Sequence, residues 1–130
     1  LLDEQTQPLK FLFIQSKSHT EARYEEISQA WGQQLTGVRS GDTYVEAFWP
    51  TISKGRALSA LATHLDIPLS ETMVVGDHDN DISMLEIANL SIAMGNASSG
   101  AKAAADHIAP PVTEAGAAWA IETFILNQAV

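Results

Sequence analysis

The 130 residues are within the size of one ordinary domain, and with 45% of them apolar the chain can bury a core and is not disordered. Seven Lys plus Arg against sixteen Asp plus Glu leave a net charge of -9, which argues against nucleic acid or an anionic membrane as the main partner. Cysteine is absent, which removes disulfide and thiolate chemistry and suits a reducing, cytoplasmic setting, and no apolar run approaches the roughly 20 residues of a membrane span.

In chain order, KFLFI at residues 10–14 is short, apolar and rich in aromatic and β-branched residues, and predicts a strand. From Glu21 to Leu35 the residues Ala22, Ile27, Ala30, Trp31 and Leu35 recur at mainly helical spacing, with Thr20 or Ser18 as N-cap candidates and Gly37 beyond the end. Ser40-Gly41-Asp42 then separates β-prone pieces around Val38 and from Thr43 to Trp49, a hairpin pattern closed by Pro50.

Beyond Pro50 short helices and strands alternate. Lys54 to His64 predicts a helix with Ala57, Leu58, Leu61 and Leu65 at apolar positions and Ser53 as its cap. Thr72–Val75 and Leu90–Ala93 predict strands around a helix from Asp81 to Ala88. Ala97–Ala105 predicts a helix, His107–Ala109 a brief strand, and Thr113–Leu126 a closing helix. Strands separated by helices imply an α/β fold with parallel pairing and right-handed crossovers.

The densest chemistry lies in VVGDHDND, residues 74–81, where three carboxylates, an amide and an imidazole crowd into five positions. Neighbouring carboxylates raise one another's pKa, so the cluster needs water, a proton or a cation. Ligands of parallel sheets bind beyond the carboxyl ends of the strands, and a carboxylate there suits Mg²⁺, which takes one or two protein carboxylates and keeps several waters. A solvated polar loop is the plainer alternative. Asp77 would project from the strand end, Gly76 would permit a sharp turn, and Asp81 would open the next helix, where an N-cap role is equally open. Asp77, Asp79 and Asp81 match the first positions of an EF-hand, but Ile82 replaces the required Gly and Ala88 the required Glu. Lys54 opens its helix, electrostatically an unfavourable place for a cation. Together with the helix N-terminus it could attract a phosphate, although an exposed lysine is the plainer reading.

Three stretches taken together, Ser53-Lys54-Gly55 with Ala57-Leu58, Gly76-Asp77 with Asn80-Asp81 and Met84-Leu85, and Ala93-Met94 with Asn96-Ala97, resemble the C-terminal half of haloacid-dehalogenase-like phosphatases of the Cof type. The resemblance implies a Rossmann-like core with an α/β cap, part of the cap at residues 1–49 and the C-terminal part of the core at 50–130. It further implies Mg²⁺-dependent hydrolysis of a small phosphorylated metabolite through an aspartyl-phosphate. In that scheme Lys54 neutralises phosphoryl charge, Asp77 ligates Mg²⁺, Asn80 helps hold the metal site or the phosphate, and Asp81 orients Lys54 or a metal-bound water. His78 and Asp79 fall at variable positions of the motif and are expected as solvated loop residues. Trp31, Trp49 and Trp119 are expected in core or domain-junction packing, and Met73, Met84 and Met94 in the core.

No D-x-D-x-T/V segment occurs, so the nucleophile expected in this family is absent from the sequence. With Leu1 in place of a starting Met, the resemblance leads to the expectation that the chain is the C-terminal part of an enzyme whose partner is its own N-terminal half, inactive and poorly stable alone. A receiver-like signalling domain also combines acids, Mg²⁺ and a lysine, but there the acids precede the lysine. A non-catalytic metal- or partner-binding module is the remaining alternative.

Overall fold

The computed structural model describes residues 8–127. The chain divides into two compact units, one up to Ile52 and one from Ser53.

The first unit runs β1 (Lys10–Ile14), α1 (Thr20–Trp31), β2 (Thr36–Gly41) and β3 (Tyr44–Phe48). The central strand is β3, antiparallel to both neighbours. Side chains alternate across a strand, so Val45 and Ala47 point to one face, where they are buried against Ile27 of α1. The helix differs from expectation at both ends. Neither Ser18 nor Thr20 caps it; Lys17–His19 forms a 3₁₀ turn, and the Thr20 hydroxyl donates to the Asp42 carbonyl at 2.7 Å. After Trp31 the N–H groups of Gln34 and Leu35 both turn back to the Trp31 carbonyl, which ends the helix before Leu35. Ser40 and Gly41 belong to β2, at a bulge, and the hairpin reverses at Asp42-Thr43.

The second unit carries α2 (Lys54–His64), β4 (Met73–Gly76), α3 (Ile82–Leu85), β5 (Leu90–Ala93), α4 (Ser99–Ala104), β6 (His107–Ile108) and α5 (Gly116–Ile121). Its three strands lie in the order β4-β5-β6 and are all parallel, as the alternation of helix and strand predicts. The middle strand β5 is buried on both faces through Ser91, Ile92 and Ala93. Val74, Leu85, Met94, Ala101 and Ala120 complete the core, with Met73 and Met84 packed against it. Ser53 caps α2 by accepting the Arg56 N–H at 3.1 Å. That helix turns Gly55, Leu58 and Ala62 inward and leaves Leu61 and Leu65 exposed, because its first turn is pressed against α3 through a glycine.

Three expectations are corrected here. The helix expected over 81–88 is a 3₁₀ turn, Asp79–Asp81, followed by the single turn of α3. The closing helix is interrupted at Ala115, whose φ of 54° is left-handed; the kink seats Gly116 so closely on Pro110 that an added Cβ would lie 1.9 Å from its carbonyl oxygen. Trp31, Trp49 and Trp119 are 56%, 47% and 37% exposed, which excludes the core as their place, although Trp119 still packs edge-on against Phe124 with ring centroids 5.8 Å apart. Among the described residues no helix is long and apolar enough to cross a membrane.

Candidate active site at the carboxyl end of β4

The parallel sheet delivers the acid loop to one place. At the end of β4 the Gly76 carbonyl accepts the Met94 N–H at 2.9 Å, and one residue later the Asp77 carbonyl accepts the Ser98 N–H at 2.9 Å. The loop then folds back on itself. Asp81 Oδ2 accepts the backbone N–H of Asp77 at 2.8 Å and of His78 at 3.1 Å, while Oδ1 accepts the Lys54 ammonium. Asp81 therefore closes the loop rather than capping α3. Gly76 is required for this closure, although not for a sharp turn: its φ is negative, and a Cβ there would lie 2.7 Å from the Asp81 Cβ.

The charge balance follows from the geometry. Asp81 is 3% exposed, and burial alone would push its pKa up. The hydrogen bond from Lys54, those from the Asp77 and His78 amides and the attraction of the Lys54 charge outweigh burial and hold it below the ordinary aspartate value. Asp81 is thus ionised at neutral pH and gives Lys54 a fixed counter-charge. That offsets the cost of a cation at the first turn of α2. The Lys54 side chain is 49% exposed and has three N–H donors, so it can meet an anion while held by Asp81. Its base is fixed too: the Gly55 N–H donates to Ser83 Oγ at 3.1 Å, and a Cβ on Gly55 would lie 2.2 Å from the Ser83 carbonyl oxygen.

Asp77 is different in kind. Its side chain is 42% exposed, and its Oδ1 lies 2.8 Å from His78 Nδ1. Asp79 Oδ1 accepts the Ser98 hydroxyl at 2.7 Å, and Ser98 Oγ caps α4 by accepting the Ala101 N–H at 3.2 Å. Asn80 is half-buried in the Asp79–Asp81 turn and stands outside the network joining Lys54, Asp81 and the loop backbone. The structure thus brings Lys54 and Asp81 into contact, ties Asp77 to them through its amide, and leaves Asn80 beside them.

Among the described residues no group of three or more His, Asp or Glu is arranged to hold a metal. Both Asp81 oxygens are occupied by N–H donors and Asp79 is engaged by the Ser98 hydroxyl, so Asp77, at the end of β4 and 42% exposed, is the carboxylate best placed for a cation. One hard oxygen ligand, with waters completing the shell, fits Mg²⁺ and does not fit an all-protein Ca²⁺ or Zn²⁺ cage.

A family model described as haloacid dehalogenase-like hydrolase matches residues 1–121. The chain belongs to the haloacid dehalogenase-like hydrolases. Among relatives of this chain, the phosphatase YwpJ of Bacillus subtilis is 42% identical over 110 residues, 85% of this chain and 37% of that protein. A solved haloacid dehalogenase-like hydrolase from B. subtilis is 37% identical with a TM-score of 0.75, covering 95% of this chain and 44% of its own. The subclass IIB sugar phosphatase BT4131 is 29% identical with a TM-score of 0.78, covering 92% of this chain and 44% of its own. The chain therefore spans less than half the length of these relatives.

Two contributors escaped the sequence reading. Ser98 carries the usual signature of an N-cap, Ser before an Ala-rich run, but the helix was expected to begin at Ala97. Ser83, which receives the Gly55 amide, sits between motif positions and carries no local signal.

Proposed function

We propose that this hydrolase is a Mg²⁺-dependent phosphatase acting on a small, sugar-phosphate-like metabolite, with residues 1–49 as part of its cap and 50–130 as the C-terminal part of its core. The single observation behind the reading is the Lys54–Asp81 pair: a half-exposed ammonium at a helix N-terminus, held by a buried carboxylate, beside the exposed carboxylate of Asp77. Phosphoryl transfer asks a protein mainly for positioning and charge neutralisation, and these groups supply both. Names carried by the relatives, a phosphatase and a sugar phosphatase, support the same reaction and substrate class.

In the proposed mechanism Lys54 binds a phosphoryl oxygen and offsets the charge that builds there. Asp81 holds the ammonium in place and keeps the acid loop closed, so it is a positioning residue. Asp77 would hold Mg²⁺, which when bound supplies further neutralisation of phosphate charge. Asn80 would help hold the metal site or the substrate phosphate. The nucleophilic aspartate that forms the aspartyl-phosphate, and its acid/base partner, belong in this proposal to a segment outside these 130 residues, and the 130 residues alone hydrolyse no phosphate ester. The proposal includes a cytoplasmic setting and excludes nucleic acid and membrane as partners.

The test is a panel of sugar phosphates assayed with the full-length protein, with Mg²⁺ and after chelation, for wild type and Asp77→Ala. The expected result is Mg²⁺-dependent hydrolysis that Asp77→Ala lowers by about 100-fold or more. Unchanged hydrolysis and unchanged Mg²⁺ dependence in the variant would contradict the assigned role. Mg²⁺ binding without hydrolysis of any ester would favour a non-catalytic module.

A further inference from the structure

Asp77 can serve a cation well only if its main chain is held still, because its half-exposed side chain is tied to the rest of the protein by a contact with the neighbouring His78 of the same loop. Its main chain is gripped from two sides. The amide is held from within the loop by Asp81, whereas the carbonyl is held from outside it by the Ser98 N–H at 2.9 Å. Ser98 is therefore the strap between the acid loop and the next crossover. The position of Ser98 is in turn set twice: its hydroxyl oxygen accepts the Ala101 N–H, and its hydroxyl hydrogen goes to Asp79 Oδ1 at 2.7 Å. Ala101 is fully buried in the core, so the head of α4 is a firm anchor.

We propose that Asp79 and Ser98 are positioning residues that latch the acid loop to the head of α4 and so hold Asp77 in place for the cation. The inference rests on the reading of Asp77 as the metal ligand. It gives work to a carboxylate at a motif position where the sequence alone suggests only a solvated side chain, and to a serine outside the acid loop. Loss of such outer-shell partners commonly weakens metal binding by 10- to 100-fold, and a half-exposed site with one carboxylate belongs at the lower end.

The experiment is calorimetric titration of the full-length protein with Mg²⁺ alone, well below its melting temperature, so that no activity readout is needed. Asp79→Ala and Ser98→Ala should each weaken Mg²⁺ binding about tenfold, and the double variant should be weaker than either single one but by less than the product of the two losses, since both remove the Asp79–Ser98 bond while Ser98→Ala also removes the cap on the Ala101 N–H. Asp79→Asn keeps an acceptor for the Ser98 hydroxyl while removing the negative charge, and Ser98→Thr keeps the donor; both should bind within about threefold of wild type. If Asp79→Asn is as weak as Asp79→Ala, charge rather than the latch sets the affinity and the proposal is overturned. Wild-type affinity in Asp79→Ala or Ser98→Ala overturns it as well, as does an additive loss in the double variant. Asp77→Ala separates the two levels: if it binds Mg²⁺ as wild type does, the reading of the site fails; if it loses binding while the latch variants do not, only the latch fails.

Discussion

Replacing Asp81 by Asn keeps the shape of the side chain and removes its charge, which makes it the sharpest test of the closed loop. An amide has one acceptor oxygen where the carboxylate has two, and here both are used, one by Lys54 and one by two backbone N–H groups. Whichever way the amide turns, its NH₂ faces a donor. If the oxygen keeps the backbone amides, the hydrogen bond from Lys54 is lost; such a bond to a charged group is worth about 1.5–3 kcal/mol, and the half-exposed lysine, which water can solvate, halves that. The misplaced buried NH₂ costs a further 1–2 kcal/mol, roughly, so the expected destabilisation is about 2–3 kcal/mol. The assay is urea unfolding of the full-length protein, with amide hydrogen exchange read at Asp77 and His78. The pH dependence has a definite sign. Because the folded pKa of Asp81 lies below its ordinary value of 3.8, its stabilisation is complete above that pH and is lost as the pH falls through the folded value. The gap between wild type and Asp81→Asn should therefore be full at pH 6 and close on acidification, roughly below pH 4. A variant within about 0.5 kcal/mol of wild type at neutral pH, with unchanged exchange at the two amides, would refute the account of the loop.

Gly55→Ala places a methyl group 2.2 Å from the Ser83 carbonyl oxygen, a backbone atom that cannot swing aside, so α2 must shift off α3. Thermal unfolding should show a loss of about 1–3 kcal/mol despite the better helix propensity of Ala, and a stabilised variant would contradict the packing. Asp106 accepts the Ser91 hydroxyl at 2.7 Å and the Ser91 N–H at 2.9 Å, and these bonds hold its pKa below the ordinary value of 3.8. Its contribution is present above that value and disappears on acidification, so the stability gap between wild type and Ser91→Ala, measured by urea titration, should narrow below it; a gap that widens in acid would reverse the sign.

Much of the second unit was legible because its signals are local. A capping serine and the helix-period apolar residues place α2 at Lys54–His64 with both ends correct, and the short apolar runs mark β4 and β5 to within a residue. The left-handed Ala115 was not legible, since alanine carries no signal for that conformation and the cause is the distant approach of Gly116 to Pro110. Neither was the short α3, which starts at Ile82 as the motif suggests and ends where the Ile87 N–H turns back only three residues, to the Met84 carbonyl at 3.4 Å. Trp31 and Trp119 were misread as core candidates for a related reason, because residue type alone says nothing about which face of a helix packs. At the site, Lys54, Asp77 and Asp81 could be named from motif spacing, whereas the strap through Ser98 joins residues about twenty positions apart and exists only in the folded chain.

The central claim is that Lys54, fixed by Asp81, neutralises the phosphoryl group of the substrate. Its most direct test is the steady-state kinetics of the full-length protein, wild type against Lys54→Met, on a phosphate ester that the wild type hydrolyses, with Mg²⁺ saturating. Removing a preorganised charge that acts mainly in the transition state should lower kcat by about 10²–10³-fold, with Mg²⁺ binding retained. A kcat within about threefold of wild type would contradict the claim.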